Sequence, residues 1–308
     1  MKYKVAIYSG SSPSTVFIEN LIKSLSNSSI QVYIFGNESE KFPQKHSHVN
    51  YFLTPKTYFK KKYNFIKIIF IALIFKPKYL YKLLKFYFKH KGEINQSLIS
   101  WLNKVVPVIN NLPDIFHIQW AKSLKFWFFL NELFKTKIIV SLRGAHINYS
   151  PIFDKKLAND YKVFFPRVDS FHAVSNSILK EACNYFDIKD KTKVIYTAFD
   201  MDSFSFKKKD RKFNNSYKFL SVGRFHWKKG YQYSISAVNR LLEEGNNIHY
   251  TIITNGNPSE EILYQIDDLG ISNNIHLKSF YEQDDIYQEI VNSDCLLLPS
   301  VEEGIANV

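Results

Sequence analysis

The chain has very little cysteine: Cys183 and Cys295 are the only two among 308 residues, and each lies in an apolar segment. Two thiols cannot build a disulfide framework, so we expect both to be free in a reducing compartment. The nine histidines form no His-x-x-x-His group, and no Cys-x-x-Cys group occurs, although these spacings are typical of metal sites. We therefore predict no bound metal ion and no cofactor.

Long hydrophobic runs are also absent. The longest, residues 68–75, is far shorter than the roughly 20 apolar residues that cross a bilayer. The first residues enter a strand pattern at once, without the basic and apolar regions of a cleavable signal. We therefore expect a cytoplasmic protein.

Acidic residues are missing from residues 58–91, where ten lysines alternate with aromatic and aliphatic residues. Residues 1–110 hold 17 Lys, no Arg and 4 Glu, which accounts for the whole net charge of +13. Pro77 divides the basic stretch into two predicted amphipathic helices. These helices either lie in the headgroup plane of an anionic membrane or pack with a solvated Lys face. No nucleic-acid motif accompanies them, so we expect no nucleic-acid partner.

Strand and helix patterns alternate along the chain, which is typical of parallel, doubly wound α/β sheets. A first series ends near residue 196, and a second begins at residue 217. The charged residues 207–212 and the polar residues 214–216 between them indicate a linker. We predict an α/β protein with two Rossmann-like domains, residues 1–205 and residues 206–308.

The second series opens with a strand, residues 217–222, that leads through Gly223, Arg224 and Lys229 into a helix. Where a parallel strand gives way to a helix, unpaired backbone N–H groups and the helix dipole favour an anion. Arg can fork onto two oxygens, and Lys acts as a mobile point charge. Arg224 and Lys229 are therefore candidates for holding a diphosphate, although two ordinary surface cations would give the same pattern.

Strand ends in the first series also carry polar residues. Ser9 and Gly10 begin a small-residue turn after the first strand, and Arg143 and His146 follow a later strand. Because the carboxyl ends of parallel strands share one edge of the sheet, these residues are candidate ligand contacts. A purely structural loop role stays open for all four.

Several short motifs occur in a characteristic order: His172-Ala173-Val174-Ser175, Val194-Ile195-Tyr196 with Asp200 and Phe204, Val222-Gly223-Arg224 with Lys228-Lys229-Gly230, Ile275-His276-Leu277 through Phe280, and Pro299-Ser300 with Glu303-Gly304. In this order the chain resembles the retaining GT-B glycosyltransferases of glycosyltransferase family 4. The resemblance covers nearly the whole chain and is densest from residue 170 to residue 304. It implies two Rossmann-like domains facing a cleft, and metal-independent transfer of a sugar from a nucleotide-diphosphate sugar with retained configuration.

The resemblance also assigns roles to residues. Arg224 and Lys229 would stabilise the leaving diphosphate, and Glu303 would contact the donor hexose. The implied donor-binding set lies in loops at strand ends: Ser9, Gly10, Gly223, Asn255, Gly256, Phe280, Ser300, Gly304 and Ile305.

Two departures from the family pattern stand out. Many relatives have His-Gly where this chain has Arg143-Gly144, so a His contact to the sugar would have to come from His146. The family's second acidic residue and its closing helices would lie beyond Val308, so we expect the second domain to be incomplete.

The resemblance thus implies a glycosyltransferase at the inner face of the plasma membrane. Its partners would be a nucleotide-sugar donor carrying a hexose, a lipid-linked or polysaccharide acceptor in bacterial surface glycan synthesis, and an anionic membrane surface. Two alternatives stay open: a non-catalytic remnant that binds nucleotide or membrane, and a GT-B sugar-nucleotide epimerase.

Overall fold

The structure, a computed structural model, describes residues 3–39, 46–197, 216–254, 256–279, 283–306 and 308. The chain forms two compact units, Met1–Ala198 and Phe199–Val308, named here the first and the second unit. The domain boundary expected near residue 205 falls within 198–215, outside the described residues.

Parallel strands form the sheet of the first unit. They are β1 (Lys4–Ser12), β2 (Gln31–Glu38), β3 (Val49–Thr54), β4 (Ile115–Ile118), β5 (Lys137–Leu142), β6 (Ser170–Ala173) and β7 (Thr192–Val194). Their spatial order is β3-β2-β1-β4-β5-β6-β7, that of a doubly wound sheet. The order reverses between β1 and β4, and such a reversal opens a crevice at the carboxyl ends of the strands.

Helices connect these strands. They are α1 (Val16–Ser26), α2 (Tyr58–Phe75), α3 (Pro77–Lys89), α4 (Lys91–Ile94), α5 (Leu98–Asn110), α6 (Leu124–Trp127), α7 (Phe129–Phe134), α8 (Ala145–Asn148), α9 (Ser150–Phe153), α10 (Lys155–Phe164) and α11 (Asn176–Cys183). The predicted helix cap at Ser175 is confirmed, since its Oγ accepts a hydrogen bond from Ile178 N at the start of α11.

Strand β1 is longer than its sequence pattern predicts. It continues through Ser9 and Gly10 to Ser12, with a register shift against β2 between Tyr8 and Gly10. The predicted turn is therefore wrong over these residues. Gly10 takes a φ of +89°, so the chain bulges within the strand at this point instead of leaving the sheet.

Apolar and aromatic residues pack on both faces of the first sheet next to β1. Ile7 of β1 and Ile34 of β2 pack with Ile18 and Ile22 of α1. An aromatic group that joins β1, β2 and β4 to α6 comprises Tyr8, Phe35, Phe116 and Trp127. Such close packing holds the strand ends rigidly.

Helices α2 and α3 meet at Pro77, as predicted, with the proline at the first position of α3. One side of α2 packs against α5, a helix that the sequence patterns did not indicate. Asn110 of α5 donates to the carbonyl of Ile68 (3.2 Å), and Ala72 is buried there.

The opposite side of α2 is exposed and yet apolar. Phe59 is 84% exposed and Phe70 is 63% exposed. We call this side the aromatic face of α2; it consists of Phe59, Tyr63, Ile66, Phe70 and Ile74. An ordinary surface helix carries polar residues there. Among the described residues, no helix combines the length and apolar character that crossing a bilayer requires.

The second unit repeats the plan on a smaller scale. Its parallel strands are β8 (Tyr217–Val222), β9 (Ile248–Thr254), β10 (Ile275–Ser279) and β11 (Cys295–Leu296), and its helices are α12 (Tyr231–Glu243), α13 (Glu260–Asp268) and α14 (Gln283–Asn292). The strand order β10-β9-β8-β11 reverses between β8 and β11. Ile235 of α12 packs on Ile252 of β9, and Ile286 of α14 packs with Leu220 of β8, so both helices cover buried sheet residues.

Candidate active site

The reversal in the second unit brings two distant loops together. Strands β8 and β11 pair in parallel, with Cys295 opposite Phe219 and Leu296 opposite Leu220. The loop after β8 and the loop after β11 therefore leave the same edge of the sheet side by side. This is the crevice in which open α/β sheets bind ligands.

Backbone contacts hold the two loops against each other. The N–H of Val301 donates to the carbonyl of Lys228 (2.8 Å). Gly230 has a φ of +64°, and a Cβ built on it would lie 2.2 Å from the carbonyl oxygen of Pro299. Glycine is therefore required at position 230 both for the backbone conformation and for the close approach of the second loop.

An ion pair joins the loops at their polar ends. Lys229 Nζ lies 2.5 Å from Glu303 Oε1, and both side chains are partly buried. Ser300 Oγ donates to the same carboxylate oxygen (2.8 Å). A Cβ on Gly223 would lie 3.2 Å from Cε of Lys229, so the missing side chain at Gly223 leaves room for the lysine stem.

The hydroxyl of Tyr231 also lies next to Gly223, close to the ion pair of Lys229 and Glu303. A Cβ on Gly223 would lie 2.9 Å from it. Tyr231 is 3% exposed, and its hydroxyl has no hydrogen-bond partner within the described part of the chain. Burial raises the pKa of Tyr231, with smaller contributions from Tyr250 and Glu303. Sequence reasoning missed this hydroxyl because position 231 fits the apolar pattern of α12.

The reversal in the first unit lies next to Ser9 and Gly10. The indole Nε1 of Trp120, just after β4, donates to the carbonyl of Ser9 (2.9 Å). The hydroxyl of Ser9 donates to the carbonyl of Ser11 (2.8 Å), and Asn37 Nδ2 donates to the carbonyl of Gly10 (3.0 Å). These polar groups of Ser9 and Gly10 are thus already hydrogen-bonded, to Ser11 of β1, to Asn37 of β2 and to Trp120 after β4.

Arg143 lies near the same edge, after β5. Its Nη2 donates to Gln119 Oε1 (3.0 Å), and its guanidinium carbon lies 4.2 Å from the centre of the Phe17 ring. Burial lowers the pKa of Arg143 to about 10, so the side chain stays charged at neutral pH.

His146 packs edge-on against Trp120, with 5.3 Å between ring centroids. Burial, and then the charge of Lys122, lower the pKa of His146 to about 4, so the ring is neutral at pH 7. Its Nδ1 is buried and, among the described residues, has no hydrogen-bond partner. A neutral imidazole of this kind can exchange hydrogen bonds with a hydroxyl group.

A chain of hydrogen bonds crosses β4, β5 and β6. Ser141 Oγ contacts His117 Nε2 (2.9 Å) and His172 Nδ1 (3.0 Å), and His172 Nε2 contacts the carbonyl of Ile195 (2.9 Å). Because the carbonyl only accepts, His172 Nε2–H donates to it, Ser141 donates to His172, and His117 donates to Ser141. Burial lowers the pKa of both histidines, that of His117 to about 3. Sequence reasoning missed this set because only the register of three strands brings it together.

Within the described residues, no group of three or more His, Cys, Asp or Glu side chains is placed to hold a metal ion. Metal independence itself stays a prediction.

Family models match both halves of the chain. The model described as Glycosyltransferase Family 4 matches residues 14–203, more than half of the chain. The chain belongs to glycosyltransferase family 4. A second model, described as Glycosyl transferases group 1, matches residues 202–308. The resemblance found in the motifs is thus confirmed.

Individual relatives of this family 4 chain are distant. An uncharacterized glycosyltransferase of Methanocaldococcus jannaschii is 24% identical over 284 residues, which cover 89% of this chain and 60% of the relative. The amylovoran biosynthesis glycosyltransferase AmsK of Erwinia amylovora is 24% identical over 225 residues, which cover 69% of this chain and 53% of AmsK. The chain therefore spans little more than half the length of these curated relatives.

A solved structure shows the same fold. HepE of Anabaena in complex with UDP-glucose matches with a TM-score of 0.65 and 14% identity, over 97% of this chain and 74% of HepE. The predicted fold class is confirmed: this family 4 chain has the GT-B type of α/β fold, with Rossmann-like sheets.

The structure brings together only part of the predicted site of the family 4 chain. The second unit joins Gly223, Lys229, Ser300 and Glu303 in one place. Arg224 is exposed next to Gly223, and Gly304 and Ile305 continue the loop after Glu303. Gly256 has a φ of +101° after β9, whereas Asn255 and Phe280 lie outside the described residues.

Replacing Gly230 with Ala should separate the two loops of the second unit. We expect Gly230→Ala to lower both the free energy of unfolding and the affinity for a nucleoside diphosphate, since Cβ would overlap Pro299 O. Gly270→Ala is the matched control, because Gly270 has a φ of +66° but nothing within 4 Å of its Cβ position. The control should cost only the roughly 1–2 kcal/mol of a left-handed residue. Equal effects of the two variants in urea unfolding and calorimetry would contradict the close approach.

Replacing His117 with Gln should make the free energy of unfolding less dependent on pH. The unfolded His117 binds a proton near pH 6.5, whereas the folded one binds it only near pH 3. Stability is therefore lost as the pH falls below about 6.5. Gln keeps an N–H donor for Ser141 and cannot titrate. We expect the free energy of unfolding to fall between pH 7 and pH 5 by about 1–2 kcal/mol less in His117→Gln than in the wild type. Urea unfolding followed by tryptophan fluorescence measures this difference. The same pH dependence in both proteins would contradict this assignment.

Proposed function

We propose that this protein transfers a hexose-type sugar from a nucleotide-diphosphate sugar, with retained configuration and without a divalent metal. The acceptor is a lipid-linked or polysaccharide glycan of the bacterial surface. Family membership supports the reaction class. The name of AmsK, which refers to amylovoran biosynthesis, supports a polysaccharide product, and the UDP-glucose complex of HepE supports a nucleotide-sugar donor.

The observation that carries the proposal is the contact of Lys229 with Glu303 and Ser300 at the β8–β11 reversal. It places a cation and a carboxylate at one point of the crevice. The lysine ammonium has three donors, so it can keep Glu303 and also bind a diphosphate oxygen. The carboxylate accepts hydrogen bonds, which suits the hydroxyl groups of a hexose.

The charges also suit the chemistry. When the bond between the sugar and the diphosphate breaks, the electron pair stays on the departing phosphate oxygen. Arg224 and Lys229 supply fixed positive charge for that oxygen, as preorganised donors do for other developing anions. Glu303 holds the sugar, and the missing side chain at Gly223 leaves room for the stem of Lys229. In this proposal, Arg224 and Lys229 stabilise the charge of the leaving diphosphate in place of a divalent metal ion.

The first unit serves the acceptor in this proposal. His146 is neutral at pH 7. Its Nδ1 has no hydrogen-bond partner within the described part of the chain, so the ring can hydrogen-bond a sugar hydroxyl. This is the role that we assign to it in place of the family's histidine.

The aromatic face of α2 supports attachment to the inner face of the plasma membrane. Its apolar side chains point away from α5, and Lys60, Lys61, Lys62 and Lys67 are exposed on the same helix. The whole stretch 58–91 carries no acid that would repel an anionic lipid. Apolar insertion combined with lysines at the headgroups is the way interfacial helices bind membranes.

Removing one phosphate-binding cation should weaken nucleotide binding. We expect Lys229→Gln and Arg224→Gln each to lower the affinity for UDP or GDP by about tenfold or more, since each loses a charge-assisted hydrogen bond. Isothermal titration calorimetry of each variant measures the change. Lys228→Gln is the control, because it removes the same charge from the neighbouring residue and should bind as the wild type does.

Several outcomes would contradict the proposal. Failure of the wild type to bind either UDP or GDP is one, and equal losses in Lys228→Gln and Lys229→Gln are another. Binding of a nucleotide without turnover of any donor would favour the non-catalytic remnant.

Reversing the charge of α2 should release the protein from membranes. The variant replaces four lysines together by Glu: Lys60, Lys61, Lys62 and Lys67. Each lysine near an anionic surface contributes about 1 kcal/mol to binding, so we expect the partition coefficient of the variant onto phosphatidylglycerol vesicles to fall roughly a thousandfold, as measured by sedimentation. The control changes Lys155, Lys156, Lys162 and Lys180, exposed residues of α10 and α11, to Glu. It makes the same charge change away from α2 and should sediment like the wild type. Equal sedimentation of both quadruple variants and the wild type would contradict membrane attachment through α2.

A further inference from the structure

Arg143 of the first unit is a partly buried cation that pairs with no carboxylate among the described residues. Its Nη2 donates to the amide oxygen of Gln119, and its guanidinium lies against the ring of Phe17. Among the described residues no acidic side chain pairs with it, and burial alone accounts for the lowered pKa. A buried charge is costly unless it is paired, so this arrangement lacks a counter-ion.

Arg143 and the neighbouring Gln119 each carry a buried N–H group without an acceptor among the described residues. The Nε of Arg143 and the Nε2 of Gln119 are buried and, in the described part of the chain, have no hydrogen-bond partner. Gln119 is fully buried, so water does not reach its side chain. Two neighbouring side chains at the carboxyl ends of β4 and β5 thus keep buried N–H groups that have no acceptor among the described residues.

Nearby titratable groups do not supply the missing negative charge. His117 and His172, which Arg143 influences through its charge, are neutral at pH 7 because burial lowers their pKa. His146 is neutral as well, and the other charge that acts on it is the cation Lys122. The surroundings are therefore neutral or positive.

We propose that Arg143 and Gln119 form a binding site for an oxyanion group of a substrate, either a phosphate or a carboxylate. The guanidinium fork fits two oxygens of such a group. Gln119 accepts from Nη2 and so orients the guanidinium. The site rests on the proposed function, because a glycosyl donor carries a diphosphate and an acceptor carries a lipid phosphate or an acidic sugar. It makes Arg143 a residue that selects charged substrates.

Tryptophan fluorescence can observe this site in the full chain. Trp227 lies in the second unit, and the other three tryptophans, Trp101, Trp120 and Trp127, lie in the first. Trp120 is 6.1 Å from the Phe17 ring on which Arg143 stacks, measured between ring centroids. The variant Trp227→Phe therefore reports on the first unit while the chain stays whole.

The first measurement is a titration of Trp227→Phe with inorganic pyrophosphate, by fluorescence and by calorimetry. We expect saturable binding that Arg143→Gln weakens by about tenfold or more, and that Arg143→Lys weakens less. Arg167→Gln is the matched control. Arg167 also stacks on an aromatic ring in the first unit, but it is paired with Glu132, so its loss should leave the affinity unchanged.

A second measurement separates this site from the second unit. Binding that is unchanged in Lys229→Gln supports a site at Arg143, whereas binding that disappears in Lys229→Gln and persists in Arg143→Gln overturns it. Absence of saturable binding in both assays also overturns it. UDP and GDP binding by the second unit is measured independently, so failure here leaves the proposed function standing.

Competition then identifies the source of the oxyanion. Displacement of pyrophosphate at Arg143 by UDP or GDP, but not by uridine or guanosine, assigns the group to the donor. Displacement by a short-chain prenyl phosphate or by glucuronate assigns it to the acceptor. If none of them competes, pyrophosphate is an adventitious ion only, and the proposal fails.

Discussion

The close approach of two loops at the edge of the second sheet is the constraint on which the candidate donor site depends. A side chain at position 230 would overlap Pro299 O, and Val301 donates to the carbonyl of Lys228 a few residues away. These contacts join backbone atoms, so they depend on the missing side chain at position 230 and not on which side chains the other loop positions carry. The ion pair of Lys229 and Glu303 forms because the backbones beneath it are already in contact.

The polar residues at the strand ends of the first unit are mostly uncharged at neutral pH. These residues are partly or fully buried, and the histidines among them are neutral at pH 7 because burial lowers their pKa. Arg143 is the exception, since it keeps its charge at neutral pH and stacks on Phe17. The second unit thus holds a cation, Lys229, that is paired with Glu303, whereas Arg143 in the first unit pairs with no acidic side chain among the described residues.

Helix α2 shows how one element can serve the core and a surface partner together. Its inner side is packed against α5 through Ala72 and Ile68, whereas its outer side exposes Phe59 and Phe70. The fold accounts for the inner side alone. The outer side has a physical rationale in an apolar or lipid environment, because large aromatic groups gain free energy when they leave water.

The sequence by itself determined the α/β class and the helix break at Pro77, because these depend on local periodicity and on the missing N–H of proline. Lys229 and Glu303 were expected from the strand-to-helix pattern and from the family resemblance, and their roles stay predictions. Tertiary structure alone decided which of the motif residues meet, since β8 and β11 are far apart in the chain and become neighbours only through the strand order. It also decided that Ser9 and Gly10 continue β1, since pairing with β2 outweighs the local turn preference of small residues. The environment of Arg143 could not be predicted either, because its partial burial and its lack of an acidic partner among the described residues are properties of the packed chain and not of the residue.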